Sequence, residues 1–227
     1  MSTETTPDRR ERLVRPLLVA FLVASAVDLL GLLADVPAAH QAAKPLLMPL
    51  LAGYAAARRG PRLLVAALLF GWGGDTFLLL DSDLAFLVGM GSFGVGHVCY
   101  LWLFGKVRSS VPVGIGYAVA LATVVVLLWS GLPEGLRIPM TGYSLLLAAM
   151  AYRASTLGRY AAVGGALFLL SDTLIATGIA DWPQLPAPDF WVMATYIAAQ
   201  FLLTMGALGA SGANGRTVPG PVAPVSP

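Results

Sequence analysis

Eight long apolar runs, broken only by short stretches of charge, glycine and proline, follow one another from residue 17 to residue 209. About 20 apolar residues wound into a helix match the roughly 30 Å hydrocarbon thickness of a bilayer. Inside that slab no water is present to satisfy the backbone, so segments of this length are helices rather than open strands. The runs predict spans at 17–34, 39–57, 63–80, 84–104, 111–130, 138–152, 160–179 and 189–209. They leave a polar N-terminal tail at 1–16 and a Gly- and Pro-rich tail at 210–227, expected to be disordered because it has too little apolar surface to offset the entropy of ordering. The predicted class is all-α, a polytopic bundle of about eight transmembrane helices. Composition agrees: 57% of residues are hydrophobic, 11% are charged and the mean hydropathy is +0.77, which leaves no room for a separate soluble domain. Spans two and six depart from the simple pattern. Pro45 and Pro49 interrupt the second and the sixth has few apolar residues, so either is expected to be kinked or partly re-entrant.

The basic residues set an orientation, since translocation disfavours Lys and Arg in short loops on the far side. With a cytoplasmic N-terminus, Arg9, Arg10, Arg12, Arg15, Arg58, Arg59, Arg62, Lys106, Arg108, Arg153, Arg159 and Arg216 fall inside, and only Lys44 and Arg137 fall outside. Both termini are therefore expected in the cytoplasm, in a cell membrane of the bacterial inner-membrane type. The same scattered charge, amounting to a net +2, argues against a nucleic-acid partner. Cys99 is the sole cysteine, and with His40 and His97 it does not make a zinc site of ordinary composition. No metal or cofactor is expected. Gly89, Gly91, Gly94, Gly96, Gly164 and Gly165 are expected where helices approach closely.

Function must be read from the polar residues inside the spans, because a charge there costs roughly 2.5–3.5 kcal/mol on insertion scales. Asp28, Asp75 and Asp172 all fall between the middle and the outer half of the membrane, and Lys44 enters span two from that side. His97 with Tyr100, and Tyr196 with Gln200, each share one helical face. A common pocket is geometrically open to all of them. Plainer roles exist for each. Asp28 can pair with Lys44 or cap a broken helix, Lys44 can snorkel, and His97, Tyr100, Tyr196 and Gln200 can serve packing or helix association. The stretch from Gly89 to Gly94 fits G-x-G-x-x-G but lies inside an apolar span with no preceding strand, so it reads as helix packing.

Lys44-Pro45-Leu46-Leu47-Met48-Pro49, Gly74-Asp75, the segment from Gly89 to His97 and Tyr100, Leu167-Phe168-Leu169-Leu170-Ser171-Asp172, and Tyr196 with Gln200 together resemble the YhhN/TMEM86 family in order and spacing. The resemblance covers roughly Ala38 to Leu208. It implies lysoplasmalogenase activity, the hydrolysis of the vinyl ether bond of a lysoplasmalogen or a related ether lysolipid, without a cofactor. Such a lysophospholipid and the bilayer are the implied partners. A vinyl ether hydrolyses by protonation of its β-carbon and addition of water to the resulting oxocarbenium ion, which calls for an acid and an anion. Asp75 and Asp172 are the expected pair. His97, Tyr100, Ser171, Tyr196 and Gln200 would orient water or substrate, Lys44 would meet the phosphate, and Asp28 would give support. Two other classes use intramembrane carboxylates. An aspartyl protease is disfavoured because Trp72-Gly73-Gly74-Asp75 lacks the first glycine of G-x-G-D and Ser171 stands where that family has tyrosine. A proton-coupled transporter would relay protons through Asp and His.

Overall fold

The computed structural model describes residues 9–105 and 110–214. Among these residues the chain forms eight α-helices and no strand: α1 (Arg9–Leu33), α2 (Pro37–Ala57), α3 (Arg62–Phe77), α4 (Asp83–Phe104), α5 (Val111–Leu128), α6 (Glu134–Ala154), α7 (Arg159–Ile179) and α8 (Pro188–Asn214). Five of them, α1, α4, α5, α7 and α8, are individually long and apolar enough to cross a membrane. Helix α3 is too short to qualify on its own, and α2 and α6 are diluted by prolines and polar residues.

Local chemistry sets the helix ends. Pro37 and Pro112 occupy first-turn positions of α2 and α5, where a missing N–H costs nothing. The Ser82 hydroxyl accepts from the Ala85 amide at 3.1 Å and caps α4. Gly158, at φ 96°, turns the chain from a short 3₁₀ segment at Ser155–Leu157 into α7. Neither of the two helices expected to kink breaks. Helix α2 continues through Pro45 and Pro49, and α6 through Pro139, so each remains a single helix of 21 residues rather than a re-entrant segment. At about 31 Å each is long enough for a bilayer crossing.

The expected boundaries shift at several helix ends, and α6, for one, starts at Glu134 rather than at 138. Helix α3 ends at Phe77 rather than at 80, because Leu78–Leu80 form a turn that delivers Ser82 to cap α4. Helix α1 starts at Arg9, since Arg and Glu are good helix formers that extend the span beyond its apolar stretch. Helix α8 continues to Asn214, with the Ser211 hydroxyl bonded to the Ala207 carbonyl at 2.9 Å, so residues 210–214 are helical. The rest of the expected tails, together with Lys106, Arg108 and Arg216, lies outside the described residues.

Seven helices close a ring in which α1 packs on α2, α2 on α3, α3 on α4, α4 on α6, α6 on α7, α7 on α8, and α8 back on α1. Helix α5 stands outside it against α6 and α7, almost none of its surface buried. Close approach depends on glycine at a few positions. A Cβ on Gly164 would fall 2.8 Å from the Leu203 amide nitrogen, and one on Gly206 2.6 Å from the Ala161 Cβ, so α7 and α8 touch through bare backbone. Gly89, Gly96 and Gly165 also face neighbouring helices, whereas Gly91 has open space and Gly94 only an ordinary contact with Leu146. For these last two the packing expectation is corrected: they lie on the face of α4 turned away from α3.

The distribution of polarity is that of a membrane protein. Leu84, Trp102, Val126 and Ile138 are each more than 70% exposed, while Asp28, Asp75, His97 and Gln200 are at most 2% exposed. Water would reverse that preference.

Candidate active site

Asp75 lies two residues before the end of the short helix α3, and Gly74 beside it lets the Phe93 ring lie directly against the α3 backbone. The Tyr196 hydroxyl donates to Asp75 Oδ2 at 2.7 Å. Its oxygen in turn accepts from Gln200 Nε2 at 3.4 Å, and Gln200 Oε1 accepts from the Tyr100 hydroxyl at 2.7 Å. A polar chain thus runs from α4 through α8 to the carboxyl on α3. It passes over Gly71, where a Cβ would come within 3.1 Å of Gln200 Nε2 and 3.4 Å of the Tyr196 oxygen.

Asp172, on α7, has a matching arrangement. The Tyr143 hydroxyl of α6 donates to Asp172 Oδ2 at 2.5 Å, and His97 Nε2 of α4 stands 3.0 Å from the same hydroxyl oxygen. A phenol has one proton, and here it is directed at Asp172, so His97 must donate from Nε2. That leaves Nδ1 as an acceptor, buried and without a hydrogen-bond partner among the described residues. Ser171, adjacent in sequence, donates to the Val192 carbonyl at 3.0 Å and ties α7 to α8.

These two carboxyls share the wall of one cavity of about 80 Å³ with Lys44, Tyr143, Ser171 and Tyr196, and the rest of the lining, Phe86, Phe93 and Met193 among it, is mostly apolar. At 1.5 Å per residue, Asp75, Asp172, Lys44, Tyr143 and Tyr196 all lie about 3–14 Å below the helix ends that carry acidic loops, marked by Asp35, Asp81, Glu134, Asp181 and Asp189. Lys44 is 9% exposed, lines the cavity and makes no hydrogen bond to any described residue. A wider opening of about 1,030 Å³, bordered by Asp81, Ser82 and Asp83, shares Leu78 and Phe86 with the cavity and lies beside it at that end of the bundle.

Of the residues expected from sequence, Asp75, Asp172, Lys44, Ser171 and Tyr196 reach the cavity. His97, Tyr100 and Gln200 sit behind it, packed with Phe93 and Phe168, and are linked to the carboxyls by hydrogen bonds through Tyr143 and Tyr196. Asp28 does not reach it. Its Oδ1 instead accepts from His40 Nδ1 at 2.8 Å, so neither the Lys44 pairing nor a helix cap applies. Tyr143 has no distinguishing mark in the sequence, because no second polar residue with a chemical role stands at helical spacing from it on α6. His40 did leave a signal, since it stands four residues before Lys44 on one face of α2.

Residues 39–207, about three quarters of the chain, match the family model described as the YhhN family. The chain belongs to the YhhN family. This YhhN chain is 36% identical over 152 residues to a rat protein named lysoplasmalogenase TMEM86B, an alignment covering 66% of this chain and 63% of the relative. The human protein of that name is 35% identical over 149 residues, covering 65% and 64% respectively. A Mycobacterium bovis protein named lysoplasmalogenase is 33% identical over 163 residues, covering 65% and 61%. The YhhN chain therefore spans a little under two thirds of the length of these relatives. No solved structure matches it.

Proposed function

We propose that this YhhN protein is a membrane-embedded hydrolase that cleaves the vinyl ether bond of lysoplasmalogens or a closely related ether lysolipid, with Asp75 and Asp172 as its catalytic pair. The observation that carries the reading is the meeting of the two aspartates, from α3 and α7, at one cavity that also receives Lys44. The names of the aligned relatives supply the reaction, and the cavity supplies groups suited to it.

The chemistry needs one proton delivered to carbon and one anion held nearby. A protonated carboxyl gives its proton to the β-carbon of the vinyl ether, and the double-bond electrons form the new C–H bond, leaving an oxocarbenium ion. The second carboxylate stabilises this cation and takes a proton from the water that adds to it. The hemiacetal then collapses: the first carboxylate takes the proton of its hydroxyl, the second carboxyl gives its proton to the departing oxygen, and the C–O bond breaks to release a fatty aldehyde and a glycerol hydroxyl, which restores both carboxyls and consumes one water for each ether bond cleaved. Tyr196 and Tyr143 each hold one carboxyl in place through a hydroxyl whose own position is fixed from behind by Gln200 or His97. Lys44 meets the phosphate and fixes how deep the lipid sits. The opening beside Asp81 and Asp83 admits the head group, with both chain termini on the opposite, cytoplasmic side.

The purified protein is expected to release aldehyde from a lysoplasmalogen and none from the saturated alkyl ether, which has no double bond to protonate. Asp75→Asn and Asp172→Asn are each expected to lower the rate by about 10²–10⁴-fold, the usual share of general acid–base catalysis. Full activity in both variants would overturn the assignment. Turnover in detergent, where no second compartment exists, separates this reading from a proton-coupled transporter.

A further inference from the structure

The catalytic cavity is far too small for a fatty chain, and a second cavity begins where it ends. Between α5, α6 and α7 lies a groove of about 520 Å³, within the roughly 300–1,000 Å³ typical of small-molecule sites. Gly116, Ala120 and Val124 line it from α5, Leu147 from α6, and Ala166 and Leu169 from α7. Asp172, Ser144 and Ala176 belong to both linings, so Asp172 stands in the wall between the two cavities and keeps part of its surface open. The groove follows α5 from Val113 to Val124, about 16 Å at 1.5 Å per residue. It starts about 5 Å below the acidic loops, at Val124 and Ala176, passes Asp172 and runs on away from those loops to Val113. Thr173, its polar neighbour on α7, has its hydroxyl bonded to the Leu169 carbonyl at 2.7 Å and asks nothing of a ligand.

The arrangement also accounts for the position of α5. A helix outside the closed ring contributes little to the bundle core, yet it supplies one whole wall of this groove. Small residues on that wall leave space that a lipid chain can fill, and a Cβ on Gly116 would meet nothing within 4 Å. Hydrocarbon moving from bilayer to groove exchanges one apolar setting for another, so the groove selects by length and shape rather than by raw affinity.

We propose that the groove between α5, α6 and α7 holds the hydrocarbon chain of the ether lysolipid, and that its α5 wall determines which chain lengths are cleaved. The inference rests on the reading of the reaction given above, and two measurements keep the two apart. The first compares short- and long-chain lysoplasmalogens on the wild type and on Gly116→Leu, Ala120→Phe and Ala166→Phe. Gly91→Leu is the control, the same change as the first at an open position outside the groove. Long-chain turnover is expected to fall about tenfold or more relative to short-chain turnover in the groove variants alone. An unchanged chain-length profile in all three, beside normal aldehyde release, overturns the proposal. The second measurement needs no turnover: a saturated alkyl ether lysolipid with a diazirine at the chain end is photolysed on the whole protein. Labelling of α5 and α7 between Val113–Val124 and Ala166–Ala176 is expected. Labelling confined to the outer faces of α1 or α4 overturns the proposal, whether or not the enzyme cleaves vinyl ethers. Groove labelling without aldehyde from the wild type would instead count against the reaction alone.

Discussion

Tyr143 and Tyr196 hold equivalent places, each giving its only proton to an aspartate and each steadied by one residue behind it. Tyr143→Phe and Tyr196→Phe each remove one hydrogen bond to a buried carboxyl, worth in general about 1.5–3 kcal/mol at the ionised carboxyl and about 0.5–1.5 kcal/mol at the protonated one. The first loss is expected to slow vinyl ether cleavage by about 10–100-fold and the second by about 2–10-fold, with little change in folding, as steady-state kinetics beside thermal unfolding would show. The carboxyls themselves are legible in the sequence because an intramembrane charge is costly enough to need a reason, and the Tyr196 and Gln200 spacing marks one helical face. Tyr143 is not legible. Its partners are 29 and 46 positions away, and no local pattern distinguishes it from a packing aromatic. The pairing of Asp28 with His40 was not legible either, although His40 shares a face with Lys44, because the turn after α1 brings together two residues that sequence spacing alone does not join.

The eight helices were legible at the scale of elements from hydropathy and charge breaks, because backbone satisfaction in lipid leaves few other options. Their ends and neighbours were less so. Three leucines after Phe77 read as more helix, yet they turn, and nothing in the run marks α5 as the helix left outside the ring. Glycine proved informative only where backbones meet. Gly164→Leu would drive a side chain into the Ala199 carbonyl and the Leu203 amide, and is expected to cost about 1–3 kcal/mol through overpacking. Thermal unfolding in detergent should show the loss. Gly91→Leu, facing open space, should leave the melting temperature nearly unchanged.

The whole molecule is a ring of helices with its polar groups turned inward and its apolar side chains turned out. Hydropathy predicts that inversion but not the order of neighbours around the ring, which depends on side-chain fit between segments far apart in the chain. One helix in the ring is short: α3 has 16 residues, about 24 Å, beside α2 with 21 and α4 with 22. A bilayer meeting so short a stave thins there, drawing its head-group layer down toward Asp75. Thick membranes resist such a dimple, so turnover is expected to decline as the protein is reconstituted into phospholipids of increasing acyl length. The stunted helix would then act as a notch in the rim through which an amphiphile slips sideways from its leaflet, without first leaving for water.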